Sequence, residues 1–170
     1  VGYKARPITY PTMPQMLRDV GYTTVLVGRE MHQLPEGEPY GYQKMILGST
    51  YHADDDYDHF LKAEAPGTKG IRPLVDSLEI CNNGWEANPW PLANKLHPTE
   101  WIVRESRKVV ADTPRDQPLF LTASFYAPHS PLFPPKKYFN EYMKKQLPPA
   151  AHGEWVDWSE VPAPKKLSSS

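Results

Sequence analysis

Apolar and polar positions fall into two well-ordered blocks separated by a long stretch without rhythm. The first block opens at Thr12-Met13-Pro14-Gln15. Thr12 is a capping residue, Gln15 follows three positions later as in a capping box, and Pro14 is tolerated in a first helical turn. Met16, Leu17 and Val20 then make an apolar stripe, and Gly21 supplies the stop, because glycine adopts positive φ cheaply. Thr23-Thr24-Val25-Leu26-Val27 is short and β-branched, which predicts a strand ending at Gly28. A polar loop, GREMHQLPEGEPYG, follows it.

The second block repeats the order. Thr99 predicts the cap of a helix from about Glu100 to Ala111, with Ile102, Val109 and Val110 on one face. The turn DTPRDQP leads to a second strand, Leu119 to Phe125. Between the blocks, HADDDYDHFLKAEA predicts a short helix after an acidic start, since carboxylates favour helix N-termini. NNGWEANPWPLANKLHP is turn-rich and reads as an ordered loop. Beyond Leu147 the chain loses periodicity, and Ser168 to Ser170 reads as tail. There is no internal repeat.

Helix-strand followed by helix-strand predicts an α/β sandwich with a mostly parallel sheet flanked by helices. Such sheets bind ligands beyond the carboxyl ends of their strands. Arg29 and His32 follow the first strand and His129 follows the second, a pattern expected of an anion site. His129 sits in Ala127-Pro128-His129-Ser130-Pro131. Either the prolines merely stop the strand, or the strand is a rigid mount that presents the imidazole.

Composition narrows the choice. At 170 residues the chain is one domain or part of a larger one. Its 20 prolines and a mean hydropathy of -0.61 imply much irregular chain. A net charge of -1 gives no global basic field for nucleic acid. No apolar run approaches the roughly 18 residues of a membrane span. No basic-then-apolar leader opens the chain at Val1, and a segment processed or excised from something longer is expected. The lone Cys81 excludes an intrachain disulfide.

Two segments in order resemble the sulfatases of the alkaline phosphatase superfamily. TMPQMLRDVGYTTVLVGREMHQ is similar to the stretch in which a helix ends in Gly-Tyr-x-Thr and a strand leads to a Gly-Lys-x-His-like motif. QPLFLTASFYAPHSPLFPPKKYFNEY is similar to the later stretch that delivers a histidine beside proline, and CNNGWEANPWPL is similar to some bacterial members. The resemblance implies an alkaline-phosphatase-like sandwich and hydrolysis of sulfate esters. In that family a formylglycine hydrate attacks sulfur, calcium and lysines neutralise the sulfate oxygens, and histidines move protons. His129 would match the histidine that binds sulfate and protonates the leaving oxygen, and His32 the one that assists the formylglycine. Arg29 stands where the family usually has lysine, with Glu30 and Met31 between it and His32.

The resemblance also implies what lies elsewhere. No Cys/Ser-x-Pro/Ala-x-Arg motif is present, since Cys81 precedes Asn82-Asn83-Gly84. The paired aspartates and the later metal segment of the family have no counterpart. Residues 1–147 are therefore expected to be a partial sulfatase domain without the nucleophile and metal segments, and 148–170 an irregular proline-rich segment and tail. Calcium and formylglycine are expected outside this chain, and the isolated chain is expected to be inactive. The expected ligand is a sulfated small molecule or carbohydrate, with no nucleic acid partner. A periplasmic or secreted location is an expectation from the family. The alternatives are a phosphonate or phosphate ester hydrolase of the same superfamily and a non-catalytic module. Asp54, Asp55, Asp56 and Asp58 lack the glycine and glutamate placement of an EF-hand and read as a solvated helix start. Cys81 has no activating context. Trp85 and Trp90 suit sugar stacking or, more simply, core or loop packing.

Overall fold

A computed structural model describes residues 8–30, 37–81, 83–84, 86–148, 153–155, 157 and 159. In chain order the elements are α1 (Met13–Asp19), β1 (Thr23–Gly28), β2 (Lys44–Leu47), α2 (Asp56–Glu64), α3 (Ile71–Asp76), α4 (Pro98–Asp112), β3 (Leu119–Ser124) and α5 (Lys136–Tyr142). Short 3-10 turns cover Pro66–Thr68 and Asn94–Leu96. The three strands form one parallel sheet in the order β2-β1-β3, so the class is α/β as the sequence predicts.

Local chemistry sets the boundaries. Thr12 accepts the Gln15 N–H and caps α1. At the other end the Gly21 N–H bonds to the Arg18 carbonyl and the Tyr22 N–H to the Leu17 carbonyl, with Gly21 at φ +97°. That is a Schellman stop, and it swings the chain directly into β1. Gly28 ends β1 at φ +108°, where an added Cβ would lie 2.0 Å from the Ser124 carbonyl oxygen. Only glycine permits that approach between the ends of β1 and β3.

β1 is the buried centre. Val25 and Val27 face a core shared with Tyr57 and Leu61 of α2, Ile71 and Val75 of α3, and Trp101, Ile102 and Val109 of α4. Thr24 and Leu26 point to the opposite face. There Phe120 stacks on Tyr42, and the Tyr42 and Thr122 hydroxyls bond at 2.7 Å.

Several expectations change. β2 is a strand where no element is predicted, because four residues followed by a glycine carry too little pattern. The cap of α4 is His97, not Thr99: Pro98 starts the helix and the imidazole accepts the Thr99 N–H. On α4, Ile102 and Val109 are buried but Val110 is exposed, since one residue further on is about 100° round the helix. The α1 stripe does not enter the core: Met16 and Val20 are exposed and only Pro14 is buried.

The acidic run behaves as a helix start, but it is not wholly solvated. Asp55 caps α2 through the Asp58 N–H, and Asp56 accepts the Leu47 N–H at the end of β2. Asp58 is buried, held by Lys62 at 2.6 Å and by the Ile71 N–H at 2.7 Å. Trp90 is buried in the core and Cys81 is exposed. Trp85 lies outside the described residues.

Candidate active site

The register of β1 with β3 pairs Gly28 with Ser124, so both strands end at the same edge of the sheet. Arg29 follows at once and its N–H bonds to the Ser124 carbonyl at 3.1 Å. The β3 chain continues through buried Tyr126 to exposed His129, and both Ala127-Pro128 and Ser130-Pro131 are cis. The edge therefore carries two of the three basic residues expected there. His32 lies outside the described residues.

Two tyrosines join these basic side chains. The Arg29 guanidinium stands over the rings of Tyr126 and Tyr51, with Cζ at 4.8 and 5.5 Å from their centres. A planar cation on aromatic faces is favourable and holds the guanidinium flat. The two rings meet edge to face at 5.2 Å. Tyr126 also touches His129, with ring centres 5.2 Å apart.

His129 is fixed through one nitrogen. Its Nδ1 lies 2.7 Å from the Ser130 carbonyl oxygen. A carbonyl only accepts, so Nδ1 carries a proton and points inward. The structure gives Nε2 no hydrogen bond among the described residues, and the side chain is exposed. Nε2 is thus the atom that can exchange a proton with a ligand. Burial pushes the Tyr126 phenol well above its ordinary range, reinforced by Tyr51 and opposed by the Arg29 charge. The buried Thr50 hydroxyl stands beside Tyr126 and also opposes the shift.

The loop behind His129 is braced. Asn88 N–H bonds to the Leu132 carbonyl and Trp90 N–H to the Pro134 carbonyl, a short parallel pairing centred on Ala87 and Leu132. Trp90, His97 and Phe133 pack their rings within 6 Å of one another. A cavity of about 810 Å³ runs from Thr50 and His129 past Pro131 and Phe133 to Tyr138 and Tyr142. Arg29 lines a separate cleft of about 330 Å³ with Gly28, Ser49, His52 and Asp55. Burial raises the Asp55 carboxyl to about 6, against the pull of the Asp58 and Ser49 N–H groups that it accepts.

Sequence reasoning missed Tyr126, Tyr51 and Thr50. Tyr126 was findable, three residues before His129 on the same loop. Tyr51 and Thr50 follow β2, and without that strand nothing brings them to this edge.

Calcium takes about six to eight oxygens. Among the described residues no group of three or more His, Cys, Asp or Glu side chains converges on one point. The carboxylates of Asp55, Asp56 and Asp58 are already engaged with backbone N–H groups. The described residues do not make a calcium site, and Cys81 lacks the sequence context of a formylglycine.

Comparison with known proteins gives these features a family. The profile described as Sulfatase matches residues 1–152. An arylsulfatase of Clostridium perfringens (strain 13 / Type A) is 32% identical over 164 residues, spanning 86% of this chain and 32% of that protein. Arylsulfatase J of Mus musculus is 29% identical over 142 residues, 80% of this chain and 22% of that protein. The chain therefore spans a third or less of the length of these two relatives. With the parallel sheet, the glycine-tight strand end and the histidine between prolines all falling inside the matched region, this chain belongs to the sulfatase family.

Proposed function

We propose that this chain is one part of an enzyme that hydrolyses sulfate esters, and that it supplies the leaving-group acid and one sulfate-binding cation. One observation carries the reading. Neighbouring parallel strands deliver Arg29 and His129 to a single tyrosine, with His129 locked at Nδ1 and open at Nε2. In this role Nε2 holds the proton destined for the departing oxygen, while the Ser130 carbonyl stabilises the charged ring from behind. Arg29 neutralises a sulfate oxygen and, unlike lysine, stays charged throughout. His32 follows β1 in the sequence, and in this reading it assists the nucleophile. The nucleophile and calcium of the family are assigned to sequence outside these 170 residues. A periplasmic or secreted location goes with the same reading.

A positioned acid contributes about two to four orders of magnitude, and matters most when the leaving group is poor. In the full-length protein, His129→Ala should cut turnover of an alkyl sulfate by roughly that factor. Turnover of 4-nitrophenyl sulfate, whose phenolate leaves unaided, should fall far less. Equal losses on both esters would remove His129 from the acid role. Faster turnover of the matching phosphate monoester would favour a phosphate or phosphonate hydrolase, and no turnover of any ester a non-catalytic module.

A further inference from the structure

The hydroxyl of Tyr126 holds a position that its ring alone does not explain. It donates to the Ser130 carbonyl at 2.5 Å and lies 3.1 Å from His129 Nδ1. The Tyr51 hydroxyl donates to the same carbonyl at 3.2 Å. With the Nδ1–H of His129, three donors meet on one oxygen. The carbonyl cannot turn away from the imidazole without breaking two phenol bonds. The Tyr126 oxygen, its own proton committed to Ser130, also faces the Nδ1–H and discourages the other tautomer. A phenol is protonated through the neutral range, and burial pushes its pKa higher still, so it remains a donor. On its face, the same ring seats the Arg29 guanidinium.

We infer that Tyr126 is a positioning residue for the sulfate ester reaction: its hydroxyl sets the tautomer and ring orientation of His129, and its ring seats Arg29. The inference rests on the hydrolase reading above and adds a residue to it. The two parts of the side chain have separable duties. Tyr126→Phe deletes the hydroxyl and keeps the ring, whereas Tyr126→Leu deletes both.

The experiment combines kinetics with ring-nitrogen chemical shifts in the full-length protein, labelled with ¹⁵N-histidine. His129→Gln identifies the His129 signals by their loss. Wild type should show the Nδ1–H tautomer, and Tyr126→Phe a mixture of tautomers. In Tyr126→Phe, kcat for an alkyl sulfate should fall about tenfold or more, with the loss on 4-nitrophenyl sulfate much smaller. KM should stay within about twofold, since the Arg29 seat persists. Tyr126→Leu should raise KM as well. A wild-type tautomer in Tyr126→Phe overturns the inference, as does an unchanged kcat. If Tyr126→Leu does not fold, the phenylalanine variant alone decides. If wild type hydrolyses no sulfate ester, the functional reading falls separately. The nitrogen shifts then still decide, a mixture in Tyr126→Phe supporting the positioning role and a retained tautomer refuting it.

Discussion

Two histidines sit at opposite ends of one braced loop, and they use their nitrogens in opposite ways. His97, at the base, accepts the Thr99 N–H with Nδ1 at 3.2 Å and faces the Phe133 carbonyl with Nε2 at 3.3 Å, so Nε2 carries the proton. His129, at the tip, carries its proton on Nδ1 and donates a hydrogen bond to the Ser130 carbonyl. The first ring is buried with both nitrogens engaged, and burial pushes its pKa down. The second is exposed with one nitrogen in hand. The contrast teaches how to sort histidines: a ring whose two nitrogens are both satisfied by backbone is structure, and a ring satisfied on one side only can do chemistry. Each lies beside a proline, so neighbouring residue types do not separate them.

The largest change tests the base. Trp90 is 2% exposed, packs on His97 and Phe133, and donates its indole N–H to the Ala93 carbonyl. Trp90→Ala should destabilise the fold by about 3–5 kcal/mol, read by chemical denaturation. His129→Ala should cost about 1 kcal/mol or less, because the exposed ring loses only one hydrogen bond and its contact with Tyr126. A stability loss at His129 matching that at Trp90 would erase the distinction between base and tip.

The sequence shows α1, β1, the greater part of α4 and β3 because each carries a period, a cap or a stop of its own. Thr12 and Gly21 announce α1 by chemistry that acts within a few residues. β2 and α3 are silent because what holds them is distant: Leu47 bonds to Asp56, and Ile71 to Asp58. The site divides the same way. Arg29 and His129 are legible because each follows a readable strand within a few residues, and the family resemblance singles both out. Tyr51 joins them only through a sheet order that places β2 beside β1. The His97 cap is hidden because histidine is not among the favoured capping residues.

The next effect is smaller and depends on pH. His97→Asn keeps a capping acceptor but loses the bond to Phe133 and the ring packing, for a cost of roughly 1–2 kcal/mol. The folded state lowers the pKa of His97 below the ordinary value of 6.5, chiefly by burial. A depressed pKa gives stability that is present above the unfolded value and lost as pH falls through the folded one. Wild type should therefore lose stability as pH drops below about 6.5, and His97→Asn should lack that part of the slope. Parallel pH profiles for the two proteins would show that His97 is protonated without penalty, and that its nitrogens are not both engaged.

Asp55 gives the smallest effect, with the opposite sign. Its carboxyl rises from 3.8 to about 6 in the folded protein because burial outweighs the N–H bonds from Ser49 at 2.7 Å and Asp58 at 2.8 Å. The folded state thus holds the proton more tightly than the unfolded chain. The resulting stability is complete below 3.8 and is lost as pH rises through about 6. Asp55→Asn imitates the protonated form, with one oxygen to accept an N–H and no charge to bury. Its stability relative to wild type should improve between pH 4 and pH 7. Solvent around this partly exposed carboxylate reduces the gain to about 1 kcal/mol. Denaturation midpoints of both proteins across that range read it directly. A relative loss with rising pH would mean that the Ser49 and Asp58 N–H groups outweigh burial and hold Asp55 as the anion. Asp55 would then be a fixed negative charge in the cleft lined by Arg29, opposing an incoming anion, rather than a carboxyl that is partly neutral near pH 6.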